Sequence, residues 1–421
     1  MTTDLLTVKL EKLTYGGDAL GRVPDSLTGE AGRAVFVPFA LPGETVRVRI
    51  TEQKRGHMRA ELVEVLELSP KRIAPKCIHF GVCGGCHYQQ LSYQDQLQAK
   101  TEILCDQLTR IGKIQNPPVQ PMVASPQEWN YRNHVQFHLS RAGELGYIRA
   151  NGRNMFPISE CHLPEEGLNS LWPSLEFDPE LGLERISLRQ GMDGEIMLVL
   201  ESDVPEPPEL ELEAAISVVH MSGEDVVVMA GDDHLTISVM DRTFRVSAAS
   251  FFQVNTVMAG KMVQHLLDYL PVTPQTTLLD VYCGAGLFSS FFAGRVGRLI
   301  GVEASPSACE DFAANLDEFD HVELYEAPAE DALPRLDVSP DIVIVDPPRA
   351  GLDIRALEAL LALRPAYIAY ISCDPATLGR DAARLIFGGY RLEQVTPFDL
   401  FPQTYSIESI SIFTVLGEPP M

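Results

Sequence analysis

From Thr277 onward, short apolar runs alternate with helical pieces. The runs "TLLDVY", "RLIGVEA", "HVELYEA", "PDIVIVDPP" and "AYIAYIS" are separated by segments such as "SPSACEDFAANLDEF", "IRALEALLAL" and "ATLGRDAARLIF". Strands separated by helices of 10 to 15 residues predict a doubly wound α/β domain, here over residues 261–421. In open sheets of this kind, ligands bind outside the carboxyl ends of the strands. Those ends are where chemistry is expected.

Three of them carry candidate groups. "LLDVYCGAGLFS" reads as a strand running into a glycine turn, where Gly284 and Gly286 permit close approach or unusual dihedral angles. Glu303, ending the next strand, can accept hydrogen bonds from ribose hydroxyls. The pattern departs from the full GxGxxG fingerprint, so a nucleoside cofactor without pyrophosphate fits better, and S-adenosylmethionine is the obvious candidate. Asp346 in "DIVIVDPPRAG" reads either as a cap at a strand-to-loop turn or as a site residue. Cys373 in "YISCDPATLGRD" is either a core cysteine or a thiol near a helix N-terminus, which favours the thiolate. A thiolate beside a methyl donor suits methylation of a pyrimidine. Addition at C6 makes C5 enolate-like, and a base must then remove the C5 proton. Glu408, before the terminal apolar strand "SISIF", is a candidate base, although its neighbours are not excluded by the residues alone.

The first half is organised differently. Residues 1–70 contain short alternating segments and glycine turns, read as a small β-barrel. Residues 71–260 mix strand-like pieces with one amphipathic helix within 91–115, expected to pack on the catalytic domain. Cys77, Cys83 and Cys86 have the spacing C-x5-C-x2-C, and Cys161 is the best-placed fourth ligand. Four thiolates suit a [4Fe–4S] cluster, with zinc as the physical alternative. Eight cysteines in 421 residues, three of them crowded together, point to a reducing compartment, taken as cytoplasm. No apolar run is long enough for a membrane span. The formal net charge of −25 argues against binding a polyanion, but Met1–Pro75 is nearly neutral, with 11 Lys/Arg against 10 Asp/Glu. Glu201–Met240 holds ten acids and no Lys or Arg, and reads as a solvated face.

Taken together, these segments resemble the RNA uridine-5-methyltransferases, in particular the iron–sulfur-containing bacterial 23S ribosomal RNA branch. "YGGDALGR" and "VFVPFALPGETV" resemble its TRAM domain, an OB-like RNA-binding barrel; "FFQVNT", "DVYCGAG", "VDPPRAG" and "SCDPATLGRD" resemble its catalytic motifs. The resemblance implies a multidomain α/β protein: the barrel, a central α+β iron–sulfur region, and a Rossmann-like methyltransferase domain. It implies methyl transfer from S-adenosylmethionine to C5 of a uridine in 23S ribosomal RNA, through a covalent bond from Cys373 to C6. Glu408 would be the base. Gln253, Tyr282, Gly284, Gly286, Glu303, Glu330 and Asp346 would form the cofactor site, with Asp346 also facing the target base. Cys77, Cys83, Cys86 and Cys161 would hold the cluster. Structured RNA is the expected partner, with no obligate protein partner. Transfer RNA is the alternative substrate, and a noncatalytic RNA-binding or assembly factor is the second alternative. Gln403 and Ser406 stand where the family commonly has histidines.

Overall fold

A computed structural model of the chain describes residues 5–23, 32–152, 154–210, 215–223 and 225–417. The chain divides into two compact units. The first comprises Met1–Ile103, Tyr147–Asn154 and Phe401–Ser406; the second comprises Leu104–Gly146, Met155–Leu400 and Ile407–Met421. The extreme ends of the expected outer domains lie outside the described residues, as does the end of the acidic "VPEPPELELE" connection.

In the first unit, β1 (Leu5–Leu13), β2 (Ala19–Arg22), β3 (Ala34–Val37), β4 (Thr45–Gln53) and β5 (His57–Glu67) close into a barrel of order β1-β2-β3-β5-β4. Every second residue turns inward, and Val8, Leu10, Val35, Val37, Val46 and Val48 fill the interior. Gly21 is required where β2 crosses β1, because a Cβ there would lie 2.7 Å from the Lys9 carbonyl. On the outer face, Arg47 pairs with Glu64 at 2.7 Å and Arg49 with Glu61 at 2.9 Å. Those acids offset the basic residues counted in the sequence. Helix α1 (Tyr93–Arg110) begins in this unit behind Ser92, whose Oγ accepts the Asp95 N–H and donates to the Asp95 carboxylate.

A seven-stranded sheet is built from β6 (His134–Leu139), β7 (Leu145–Ile148), β8 (Met155–Pro157), β9 (Leu183–Gln190), β10 (Ile196–Ser202), β11 (Ser217–Ser222) and β12 (Asp225–Ala230), all in the second unit except Tyr147 and Ile148 of β7. Helix α2 (Glu166–Leu171) interrupts the series, and the hairpin β13 (His234–Val239) and β14 (Arg242–Ser247) follows.

The catalytic sheet comes next. After α3 (Thr256–Tyr269) the chain runs β15 (Thr277–Val281), α4 (Leu287–Phe292), β16 (Arg298–Glu303), α5 (Pro306–Asn315), β17 (Val322–Glu326) and α6 (Ala329–Ala332). It continues through β18 (Ile342–Val345), α7 (Ile354–Leu363), β19 (Tyr367–Ser372), α8 (Pro375–Phe387), β20 (Tyr390–Phe398) and β21 (Glu408–Val415). The strand order is β17-β16-β15-β18-β19-β21-β20, parallel up to β19, with β21 antiparallel to both β19 and β20. β18 is buried throughout, as a strand covered on both faces must be. Succession reverses at β15, which pairs with β16 on one side and β18 on the other. A crevice opens at such a switch point. Among the described residues no helix is long and apolar enough to cross a membrane.

Candidate active site

Four strand ends and one strand start build the site, all within the second unit. Tyr282 leaves β15 with a positive φ of 64°, and the turn continues through Gly284 at 54° and Gly286 at 86°. At Gly286 the left-handed conformation and the space coincide, since a Cβ would meet Leu316 at 2.6 Å. Glu303, ending β16, ties this turn down. Its Oε2 accepts the Gly284 N–H at 3.0 Å, and its Oε1 accepts the N–H groups of Ala304 and Ser305 at 2.7 and 2.8 Å. These three donors take three of the carboxylate's roughly four acceptor sites and leave the one on Oε2 for a ligand.

Beside this turn lies a cavity of about 640 Å³ lined by Tyr282, Glu303 and Glu330. The same cavity is also lined by Pro348, Ala350–Asp353 and the arginines Arg380 and Arg384. Three expected cofactor residues therefore share one cavity. Gln253 does not line it; its carbonyl accepts from Asn133 Nδ2 in the segment before Asn255, the cap of α3. Asp346 does not line it either. It follows β18 directly, its N–H donating to the Val281 carbonyl at 3.1 Å. The lining from Pro348 to Arg384 was not legible in the sequence as a cofactor surface. Its only signal was the "PRAG" that follows Asp346 and the "GRD" of α8.

At the other end of the edge, Ser372 pairs with Ser409, so the end of β19 meets the start of β21. This register brings together Cys373 and Glu408, which are 35 positions apart in the chain. The Cys373 thiol is pushed up to about 12, first by burial, then by the charges of Glu408 and Asp346, with Arg349 opposing them. Arg349 is a participant that sequence reasoning missed, although it stands in "VDPPRAG". The expectation that a helix N-terminus favours the thiolate is corrected here. Asp374, not Cys373, occupies that position: its carboxylate accepts the N–H groups of Ala376 and Thr377, both at 2.9 Å. Two acids and burial then hold the thiol protonated. Burial also raises Asp346 to about 7, with Asp280 adding to the effect. Asp280 itself is fully buried and raised to about 7, although Ser289 Oγ donates to it at 2.6 Å.

The departure at position 403 has a structural counterpart within the first unit. Gln403 is buried, with φ 71°, and exchanges two hydrogen bonds with Gln96 of α1: Gln96 Nε2 donates to Gln403 Oε1 at 2.9 Å, and the Gln403 N–H donates to Gln96 Oε1 at 3.0 Å. Its carbonyl accepts the N–H groups of His87 and Tyr88. The Gln403 side chain enters only the first of the two bonds with Gln96, as an acceptor; the second uses its backbone N–H, which any residue but proline supplies.

The cysteine segment does not behave as its spacing predicts. Among the described residues no group of three or more His, Cys, Asp or Glu side chains could hold a metal ion, which corrects the expectation of a [4Fe–4S] cluster on Cys77, Cys83, Cys86 and Cys161, and that of zinc. Cys77, Cys83 and Cys86 belong to the first unit, whereas Cys161 belongs to the second. The Cys77 N–H donates to Gln89 Oε1 at 3.0 Å, and Cys83 forms a β-bridge with Arg149.

Comparison with known proteins agrees with this geometry. The model of the tRNA (uracil-5-)-methyltransferase family matches residues 212–414, and that of the TRAM domain matches residues 3–63. An RNA methyltransferase of Thermosynechococcus vestitus is 33% identical, over 97% of this chain and 98% of its own. One from Aquifex aeolicus is likewise 33% identical, over 97% and 98%. The crystal structure of Pyrococcus abyssi tRNA (uracil-54, C5)-methyltransferase in complex with S-adenosyl-L-homocysteine shares the fold, with a TM-score of 0.72 at 23% identity, covering 97% of this chain and 100% of that one. The expected 23S ribosomal RNA branch, and 23S ribosomal RNA as partner, are overturned by the family model and the archaeal structure, whose names are those of transfer RNA enzymes. The catalytic motifs in the resemblance imply a reaction at the uracil ring, which is the same whichever RNA surrounds it. The chain belongs to the family of S-adenosylmethionine-dependent RNA (uracil-5-)-methyltransferases.

Proposed function

We propose that this chain methylates C5 of a uridine in transfer RNA, with Cys373 as nucleophile and Glu408 as base. One observation carries the reading: a half-buried thiol that feels Glu408, Asp346 and Arg349 together at the carboxyl edge of the catalytic sheet. The substrate class is supported by the matching family model and by the name of the archaeal structure.

Because the thiol is protonated, its proton must leave as the S–C6 bond forms. Asp346, which exchanges protons near neutrality, is the acceptor. Once protonated it donates a hydrogen bond to uracil O4, where negative charge develops on addition. Arg349 opposes the same build-up of charge. S-adenosylmethionine supplies an electrophilic methyl group, which C5 accepts. Glu303 accepts a hydrogen bond from the ribose, while Tyr282 and Glu330 line the cavity with it and Gly284 and Gly286 form the turn that Glu303 holds; Gln253 stays outside the lining. Glu408 then takes the C5 proton, the C5–C6 double bond re-forms, and the sulfur leaves and recovers its proton from Asp346. The target base must be unstacked for the thiol to approach above its ring.

Incubating the full chain with S-adenosylmethionine and either undermodified transfer RNA or large-subunit ribosomal RNA tests this reading. Nucleoside analysis should find 5-methyluridine in the transfer RNA. Product in the ribosomal RNA alone would overturn the substrate, and product in neither would overturn the reaction.

A further inference from the structure

Asp381 is fully buried at the middle of α8 and collects donors from three parts of the second unit. Its Oδ2 accepts the Leu352 N–H at 2.9 Å, the Tyr370 hydroxyl at 2.9 Å and Nη2 of Arg380 at 3.0 Å. Its Oδ1 accepts Nε of Arg380 at 2.8 Å. Arg380 also donates through Nη2 to the carbonyls of Ala350 at 2.9 Å and Leu352 at 3.3 Å. The residues joined in this way have separate duties. Ala350–Leu352 line the same cavity as Glu303, whereas Tyr370 lies on β19, the strand that ends at Ser372, next to Cys373. Between the two sits Gly351, with φ 75°, where a Cβ would collide with the Arg380 guanidinium and the Asp381 carboxylate. The wall is therefore moulded directly onto the ion pair.

Helix α8 needs none of this for its own sake, since Asp374 already caps it. A buried carboxylate must be matched by donors, and here the donors come from the pocket wall and the nucleophile's strand. We propose that Arg380 and Asp381 are positioning residues that lock the cofactor wall and the Cys373 strand into one arrangement. The proposal rests on the methyl-transfer reading above. It divides into two arms: Arg380 acts on cofactor binding, and Tyr370 acts on the reactivity of Cys373.

The test uses the full chain, calorimetric titration with S-adenosylhomocysteine, and single-turnover methylation of an RNA that the parent protein modifies. Arg380→Ala should weaken cofactor binding about tenfold, and Arg380→Lys should recover only part of that loss, because an ammonium cannot span the carboxylate and two carbonyls. Tyr370→Phe should bind cofactor within about twofold of the parent, yet react several-fold more slowly at saturating cofactor. General loosening of the fold would move both quantities together in both variants. Cofactor affinity in Arg380→Ala equal to the parent's, with parental turnover in Tyr370→Phe, would overturn the positioning role. A parent protein that binds no cofactor would instead sink the reading beneath it.

Discussion

At the ends of β15 and β16, Glu303 gives its carboxylate to three backbone N–H groups, and the glycine turn around it is fixed before any ligand arrives. At the ends of β18 and β19, burial acts on both Asp346 and Cys373, helped by the charge of Asp280 on the first and by those of Glu408 and Asp346 on the second, and both hold protons more tightly than in water. The two halves of one sheet edge thus treat negative charge in opposite ways. The binding half offsets it with donors supplied in advance, which costs no reorganisation when cofactor enters. The reacting half leaves it poorly compensated, so protons are retained until a substrate gives them somewhere to go.

The division can be broken most severely at the sulfur. Cys373→Ala should reduce 5-methyluridine formation by about a thousandfold or more, while S-adenosylhomocysteine affinity stays within about twofold of the parent. Calorimetry and product analysis on the same preparation measure both. Glu303→Ala should do the reverse. Losing the ribose hydrogen bond and the tether on Gly284 should weaken cofactor binding by about 10- to 100-fold, with a smaller change in turnover once cofactor is saturating.

Proton affinity sharpens the contrast further. If Asp346 must be ionised to take the thiol proton, turnover at saturating substrates should rise about tenfold between pH 6 and 8, around the Asp346 value of about 7, and then level. Asp346→Asn should be slower and should lose that inflection in its pH–rate profile. The smallest effect concerns stability. Asp280 binds its proton more tightly folded than unfolded, so its contribution is complete below about pH 4 and is lost as pH rises through about 7. Asp280→Asn keeps an acceptor for Ser289 without the charge. It should melt about 2 °C above the parent at pH 8 and no higher at pH 4, as read by calorimetry.

The strand ends were legible in the sequence because a parallel sheet converts each apolar run followed by a turn into a position on one edge. Tyr282, Glu303, Asp346 and Cys373 could be aligned from their runs alone. The protonation of Cys373 could not, since "SCDP" advertises a helix N-terminus but not that Asp374 fills it or that Glu408 returns from 35 residues downstream. The wall at Ala350–Leu352 was hidden for the same reason, because it exists only where Arg380 and Asp381 meet a distant loop. At Cys77, Cys83 and Cys86 the spacing was plain, but loop spacing does not fix the direction of a thiol as strand register does. RNA class was beyond the catalytic motifs altogether, since they act on the uracil ring.

The central claim is that sulfur attack and proton removal are separate steps assigned to Cys373 and Glu408. Glu408→Gln, incubated with S-adenosylmethionine and undermodified transfer RNA, tests it most directly by denaturing electrophoresis and intact mass spectrometry. A protein–RNA species carrying the added methyl group should accumulate, and it should disappear when Cys373→Ala is combined with Glu408→Gln. Free 5-methyluridine product released at the parent rate by folded Glu408→Gln, with no linked species at any time, would contradict the account.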